Sequence, residues 1–164
     1  MRTLQSFASP AHYSAMDRTD RAIIEHLRRD AHLTNTELAD LVGLTPSPCL
    51  RRVRRLEAEG VILGYHARIN PAAVGRAFEV HVEFELANQA KATVKDFESG
   101  LIAFDEVIEA RRMFGQPDYL ALVAVADLHA YEVFMTEELM ALPGMGRLQS
   151  RFAMKTIKSE LAST

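Results

Sequence analysis

An α+β chain of two units is what this sequence predicts: three short helices, then a βαββαβ sheet. Two changes along the chain carry that prediction. From residue 17 to Gly60 the apolar residues recur at helical spacing, and beyond Gly60 they begin to alternate, as strands require. The charge changes at the same place. Residues 17–60 hold eight arginines and eight acids, whereas residues 69–164 hold nine basic residues and fourteen acids. At 164 residues the chain has room for two small domains.

Residues 1–16, "MRTLQSFASPAHYSAM", follow neither period and read as a flexible tail, with Met16 an alternative start. Residues 17–30 set Ile23, Ile24 and Leu27 on one side of a first helix. In the second, at 34–43, Thr34 or Asn35 is the N-cap, Glu37 lies in the first turn, and Leu38, Leu41 and Val42 are apolar. Gly43 suits the turn that follows, because it tolerates positive φ. A third helix runs from Thr45 to Gly60. Residues 61–70, "VILGYHARIN", read as a hairpin turning at Gly64, the wing of a winged helix-turn-helix unit over 17–64. Residues 65–75 form the hinge.

The second unit spans 76–158. Its first strand points Phe78, Val80, Val82, Phe84 and Leu86 to one side, and Glu79, His81, Glu83 and Glu85 to the other. A helix is expected at 90–103, strands at 106–114 and 118–126 joined at "GQPD", a helix at 129–141 and a strand at 147–157. That order is the ferredoxin-like split βαβ unit, whose first and last strands are neighbours. Glu79, Glu83 and Glu85 are therefore expected to face Arg151 and Lys155.

Residues 45–60, "TPSPCLRRVRRLEAEG", look at first unsuited to a helix. With Thr45 as N-cap, however, Pro46 and Pro48 fall at the first and third helical positions, where a backbone N–H has no intrahelical partner. The hydroxyls of Thr45 and Ser47 are expected to serve the remaining donors. Cys49, Val53 and Leu56 share the inner face, Ser47, Arg51 and Arg54 the outer one, with Arg52 and Arg55 on its flanks. An exposed helix start bearing such groups suits the major groove of double-stranded DNA. Ser47, Arg51 and Arg54 are expected to read base edges or adjacent phosphates, and Arg52 and Arg55 to hold phosphates. Thr45 stands at the helix start, and His66 and Arg68 of the wing face the flanking backbone. The alternative for the arginines alone is a solvated face paired to acids such as Glu57 and Glu59. The preceding helix, glycine turn and wing together favour DNA.

The stretches "NTELADLVGLTPSPCLRRVRRLEAEGVILGY" and "INPAAVG" resemble the Lrp/AsnC (leucine-responsive or feast/famine) regulators, over about residues 17–158. The resemblance implies a winged helix-turn-helix joined by a hinge strand to an effector and oligomerisation domain. It also implies homodimers assembling to higher oligomers such as octamers, and an amino acid or related small molecule as effector. In that family the turn between the second and third strands reads like Gly-Asp-Tyr-Asp-Tyr. Here Gly115, Asp118 and Tyr119 stand in that frame, while Gln116 and Pro117 replace its middle. Gly115 can bring backbone N–H groups to a carboxylate, and Asp118 can receive an ammonium. The other reading is a tight turn with Asp118 capping its own backbone. Ser150 is a further effector candidate from resemblance alone.

Other chemistry finds little support. The six histidines have no metal-ligand spacing, and the single Cys49 excludes a disulfide framework and fits a reducing compartment. No phosphate loop or nucleophile elbow appears, so neither an enzyme nor a cofactor is expected. Without an apolar run long enough to cross a membrane or a secretory leader, the expected place is the cytoplasm. The regulated DNA-binding protein has as its main rival an architectural protein that compacts DNA with little effector response; a small enzyme built on the ferredoxin-like unit comes third.

Overall fold

The computed structural model describes residues 16–157, so the expectations for residues 1–15 and Lys158 lie outside the described residues. The chain divides into two compact units between Ala67 and Arg68.

In the first unit, α1 (Arg18–Arg29), α2 (Asn35–Leu41) and α3 (Pro46–Ala58) pack around Ile23, Leu38, Ala39, Cys49 and Leu56, all buried. Each start is set by its sequence. Asp17 and Asp20 form a reciprocal capping box on α1, and Thr34 and Glu37 form another on α2. Between α2 and α3 the chain turns at Gly43, whose φ of 69° only glycine adopts without strain. Thr45 caps α3 with extended backbone, and Cys49 N–H reaches Thr45 O at 3.3 Å. The Thr45 side chain makes no capping bond, contrary to expectation. None is needed: Pro46 and Pro48 carry no N–H, so few first-turn donors remain to be satisfied.

The wing hairpin is not formed; residues 61–70 contain no paired strand among the described residues. The N–H groups of Val61 and Ile62 both point to Leu56 O, at 2.9 and 3.1 Å, and their side chains close the helical core. These residues end α3 and cannot also pair as a strand. Two arms of four residues would in any case be a marginal hairpin alone. The hinge strand that the resemblance implies is likewise absent among the described residues.

The second unit opens with a 3-10 turn at Pro71–Val74, capped by Asn70, and continues into β1 (Phe78–Leu86), α4 (Lys91–Leu101), β2 (Val107–Arg112), β3 (Tyr119–Val125), α5 (Leu128–Glu137) and β4 (Met145–Phe152). The sheet is antiparallel throughout, in the order β2-β3-β1-β4. That is the expected split βαβ topology. Val80, Val82 and Phe84 of β1 pack with Phe97 and Leu101 of α4, Tyr131 and Phe134 of α5, and the alternate residues of β3. Two expected elements are shorter: α5 gives way to a 3-10 turn at Leu139–Ala141, and β4 stops at Phe152, leaving Lys155 beyond the ladder. Arg151 does meet Glu83, at 2.8 Å, and Arg147 approaches Glu85 at 3.7 Å.

Candidate nucleic-acid interface and effector turn

The four arginines of α3 fall into two pairs with different surroundings. Arg51 and Arg54 are exposed, as is Ser47 one turn before Arg51, and neither arginine has an ion-pair partner among the described residues. Arg52 and Arg55 instead turn back onto α1. Arg52 Nη1 lies 2.8 Å from Asp20 Oδ1 and 2.6 Å from Asp17 Oδ2, and Arg55 Nη2 lies 2.5 Å from Asp20 Oδ2. The expectation that these two hold phosphates is therefore revised. Their guanidinium groups are engaged within the fold, and with acids 32 to 35 residues upstream rather than with Glu57 or Glu59.

Asp20 is the hub of this cluster and is only 1% exposed. Its Oδ2 also accepts the Asp17 N–H at 3.2 Å, so a single carboxylate closes the α1 capping box and receives both arginines. Burial alone would raise its pKa. Hydrogen bonds from Arg55 and Arg52 outweigh that effect and hold the carboxyl below its ordinary value. Because Arg52 and Arg55 are one turn apart on α3, anchoring both fixes the roll of that helix about its axis. The roll that turns the Arg52 and Arg55 head groups onto α1 is the one that leaves Ser47, Arg51 and Arg54 facing water.

Behind the helix, Cys49 is wholly buried and its thiol pKa is raised by that burial, as a packing residue requires. His66 and Arg68 are both exposed, on a segment with no assigned strand rather than on a hairpin. Tyr65 secures the start of that segment: its hydroxyl donates to Glu57 Oε1 of α3 at 2.8 Å. It lines one surface pocket together with Leu27, Leu33, Leu38, Leu50 and Val53, contributed by or next to all three helices. Burial and the neighbouring carboxylate push the Tyr65 phenol up to about 12.

The second site begins at the β2–β3 turn. Gly115 takes a φ of 109°, and the Gln116–Pro117 peptide is cis. Met113 N–H donates to Asp118 O at 2.8 Å, closing the turn and grouping Gly115, Gln116 and Asp118 at one end of the sheet. The Asp118 carboxylate is half-buried and occupied on both oxygens. Oδ2 accepts the Leu86 N–H at 2.7 Å, and Oδ1 accepts Gln89 Nε2 at 2.6 Å. Asp118 therefore bonds a neighbouring strand and loop, not its own turn.

Tyr119 and Ser150 do not join that group. Tyr119 is buried in the core with its hydroxyl on Glu98 Oε1 at 2.9 Å, and burial followed by that carboxylate pushes its pKa up to about 12. Ser150 stands opposite Val82 on β4, beneath α5, with its oxygen 2.5 Å from the Tyr131 hydroxyl. Two residues invisible to the sequence reading come forward instead, Asp20 and Gln89. The D-x-x-D capping pattern at Asp17 signals the first; nothing in the linear sequence marks the second. Among the described residues no group of three or more His, Cys, Asp or Glu side chains could hold a metal ion. No described helix is long and apolar enough to cross a membrane.

Comparison with known proteins bears on both sites. A profile of winged helix-turn-helix DNA-binding domains matches residues 16–62, and one of Lrp/AsnC ligand binding domains matches residues 79–162. The leucine-responsive regulatory proteins of Klebsiella pneumoniae and Escherichia coli strain K12 are 38% and 37% identical over 143 residues, which is 87% of this chain and 87% of each relative. Among solved structures, a transcriptional regulator of Neisseria meningitidis in complex with L-methionine is similar at a TM-score of 0.82 and 33% identity, covering 88% of this chain and 93% of that one. An AsnC family transcriptional regulator from Agrobacterium tumefaciens gives 0.79 and 36%, covering 88% and 94%.

Proposed function

This chain belongs to the Lrp/AsnC family of DNA-binding transcriptional regulators, and we propose that it reads its operator through Ser47, Arg51 and Arg54 and answers to an amino acid held at the β2–β3 turn. The observation that carries the first half is the division of the α3 arginines. Arg51 and Arg54 have no acid to answer them among the described residues and lie on the exposed face of α3, where a planar guanidinium can meet a guanine edge or a phosphate in bidentate fashion. Pro46 and Pro48 leave Ser47 N–H and the Ser47 hydroxyl as the donors nearest the tip of α3. Thr45, whose hydroxyl caps nothing, stands beside them. His66 and Arg68 serve flanking phosphates from an extended segment, without a wing hairpin.

For the effector, a zwitterion has two ends to satisfy. Backbone N–H groups near Gly115 and Gln116 suit its carboxylate, and the Asp118 carboxylate suits its ammonium. Leucine and methionine are the first ligands to try, because one relative is leucine-responsive and one structural neighbour holds L-methionine. Tyr119 and Ser150 shape this unit from its core rather than touching the ligand.

A second copy of the chain is the remaining partner. The helices α4 and α5 cover one face of the sheet, and the other presents Leu120 and Leu122 among Glu79, His81, Glu109 and Arg111. A half-buried apolar strip flanked by both signs of charge suits an isologous contact between two copies, which then assemble further, to octamers in the form the family suggests. Such a regulator works in the cytoplasm, beside its DNA, with no catalytic step of its own.

The test is a selection from random duplexes, followed by binding titrations on the selected site. Arg51→Ala should weaken the best site about tenfold or more and relax preference at one base position, as loss of a bidentate contact does. Equal affinity for selected and scrambled duplexes, in the parent protein and in the variant, defeats the base-reading assignment.

A further inference from the structure

The two oxygens of Asp118 do different work. Oδ2 accepts a backbone N–H, that of Leu86, just past the last β1–β3 pair of Phe84 and Tyr119. It extends the ladder where β1 bulges between Glu85 and Leu86, and moving it would unpick the end of the strand. Oδ1 is held at 2.6 Å by the side chain of Gln89, an exposed residue in the β1–α4 loop. That loop does not depend on Gln89 for its shape. Asn88 Oδ1 accepts Ala90 N–H at 3.0 Å and the Thr93 hydroxyl at 2.9 Å, which fixes the backbone on both sides. The Gln89 carboxamide can therefore swing away by side-chain rotation alone, leaving Oδ1 bare and Oδ2 in place.

We propose that Gln89 is a specificity-determining residue of the effector site, its carboxamide N–H standing on Asp118 Oδ1 where the ammonium of an amino acid binds. This rests on the reading that the β2–β3 turn takes an amino acid. The exchange favours a particular ligand chemistry. A neutral amide donor holds a carboxylate less strongly than a charged ammonium does, so a primary ammonium displaces Gln89. A ligand with no ammonium gains nothing at Oδ1 that Gln89 does not already supply. The site thus rejects simple carboxylic acids of the same shape, because Asp118 is satisfied without them. Every amino acid that binds does so at the cost of the Gln89 bond.

Substitutions of Gln89 that act in opposite directions test this. Gln89→Ala removes the competing donor, and Gln89→Lys supplies a tethered ammonium that no free ligand can easily displace. On the full chain, isothermal titration with L-methionine, then with the other common amino acids, is paired with 4-(methylthio)butanoate, which lacks the amine. The expected result is about tenfold tighter binding of the amino acid to Gln89→Ala, the scale of one hydrogen bond to a charged group. Binding to Gln89→Lys should be at least tenfold weaker, and the deaminated analogue should be indifferent to Gln89→Ala. Both variants shifting binding the same way, or the amino acid and its deaminated analogue changing together, overturns the proposal. Binding abolished by Asp118→Asn but untouched by either Gln89 variant overturns it while leaving the effector turn standing. If no amino acid binds either the parent protein or Gln89→Ala, the proposal and the effector turn both fall, and the DNA reading is unaffected.

Discussion

Replacing Asp20 by Asn removes a charge and leaves the shape. In the parent protein this carboxylate, 1% exposed, receives Arg52 at 2.8 Å, Arg55 at 2.5 Å and the Asp17 N–H at 3.2 Å. Taking one partner from a buried, hydrogen-bonded ion pair costs about 3–5 kcal/mol. Here the two arginines keep 30% and 41% of their side-chain surface, so once released they are partly rehydrated. Asn also retains an oxygen for the capping bond. The loss should therefore be nearer ~2 kcal/mol. In a helical unit this small, where 1 kcal/mol moves the midpoint by about 4–8 °C, that is a fall of ~8–16 °C. The chain has no tryptophan, and the two units need not melt together, so a whole-chain signal would blur the result. Amide hydrogen exchange resolves it. Protection of α1 and α3 should fall by about 30-fold at ~2 kcal/mol while that of β1 and β3 is unchanged. Protection within about twofold of the parent, or ~0.4 kcal/mol, refutes the claim that Asp20 is the electrostatic hub of the unit.

The remaining expectations are shorter. Lowering pH should spare the first unit until the carboxylates titrate. The folded-state pKa of Asp20 lies below its ordinary value, so its contribution is complete above about pH 4 and is lost as pH falls further; an α1–α3 exchange profile that declines already between about pH 7 and 5 contradicts this. Each neutralised phosphate adds about −0.9 to the log–log salt slope of DNA binding, so Arg51→Ala with Arg54→Ala should flatten the slope by ~1.8 per bound copy, read by anisotropy titrations. Charge removal at Arg52 should leave that slope alone and lower stability instead; the opposite outcome restores its phosphate role. In the second unit, Gly144 has φ 74°, and a Cβ there would collide with the Thr93 methyl, whose hydroxyl is committed to Asn88. Gly144→Ala should destabilise by ~1–3 kcal/mol in urea melts, and a neutral result shows that Thr93 can rotate freely.

What the sequence disclosed depended on the range of the interaction. The α3 start was legible because Pro46, Pro48 and their N-cap act within four residues, through donors the chain either has or lacks. The β1 face was legible for a like reason: alternation from Phe78 to Leu86 is a property of one strand. The hairpin at 61–70 was misread because two uses compete for Val61 and Ile62. Their alternation suits a strand, but their N–H groups lie within reach of Leu56 O and their side chains within reach of the helical core. Asp20 and Gln89 were missed because their partners are 32, 35 and 29 residues away. Only the crossing of α1 over α3, or the neighbouring of two loops at one sheet end, brings those pairs together.

The clamp also changes what a count of basic residues means for a protein of this size. A three-helix unit whose described residues include five buried hydrophobic ones has little core with which to fix the roll of one helix. Apolar contacts among Cys49, Val53 and Leu56 tolerate some rotation, since dispersion has no direction. A carboxylate gripping two arginines one turn apart does have direction, and rotating α3 breaks it at once. Two of the four arginines on α3 are thereby tied to α1, and under the proposed DNA reading that leaves Arg51 and Arg54 to be aimed. Adding positive charge to this helix would not by itself improve recognition. At position 52 or 55 a change of charge would loosen the aim of Arg51 and Arg54 before it altered the attraction.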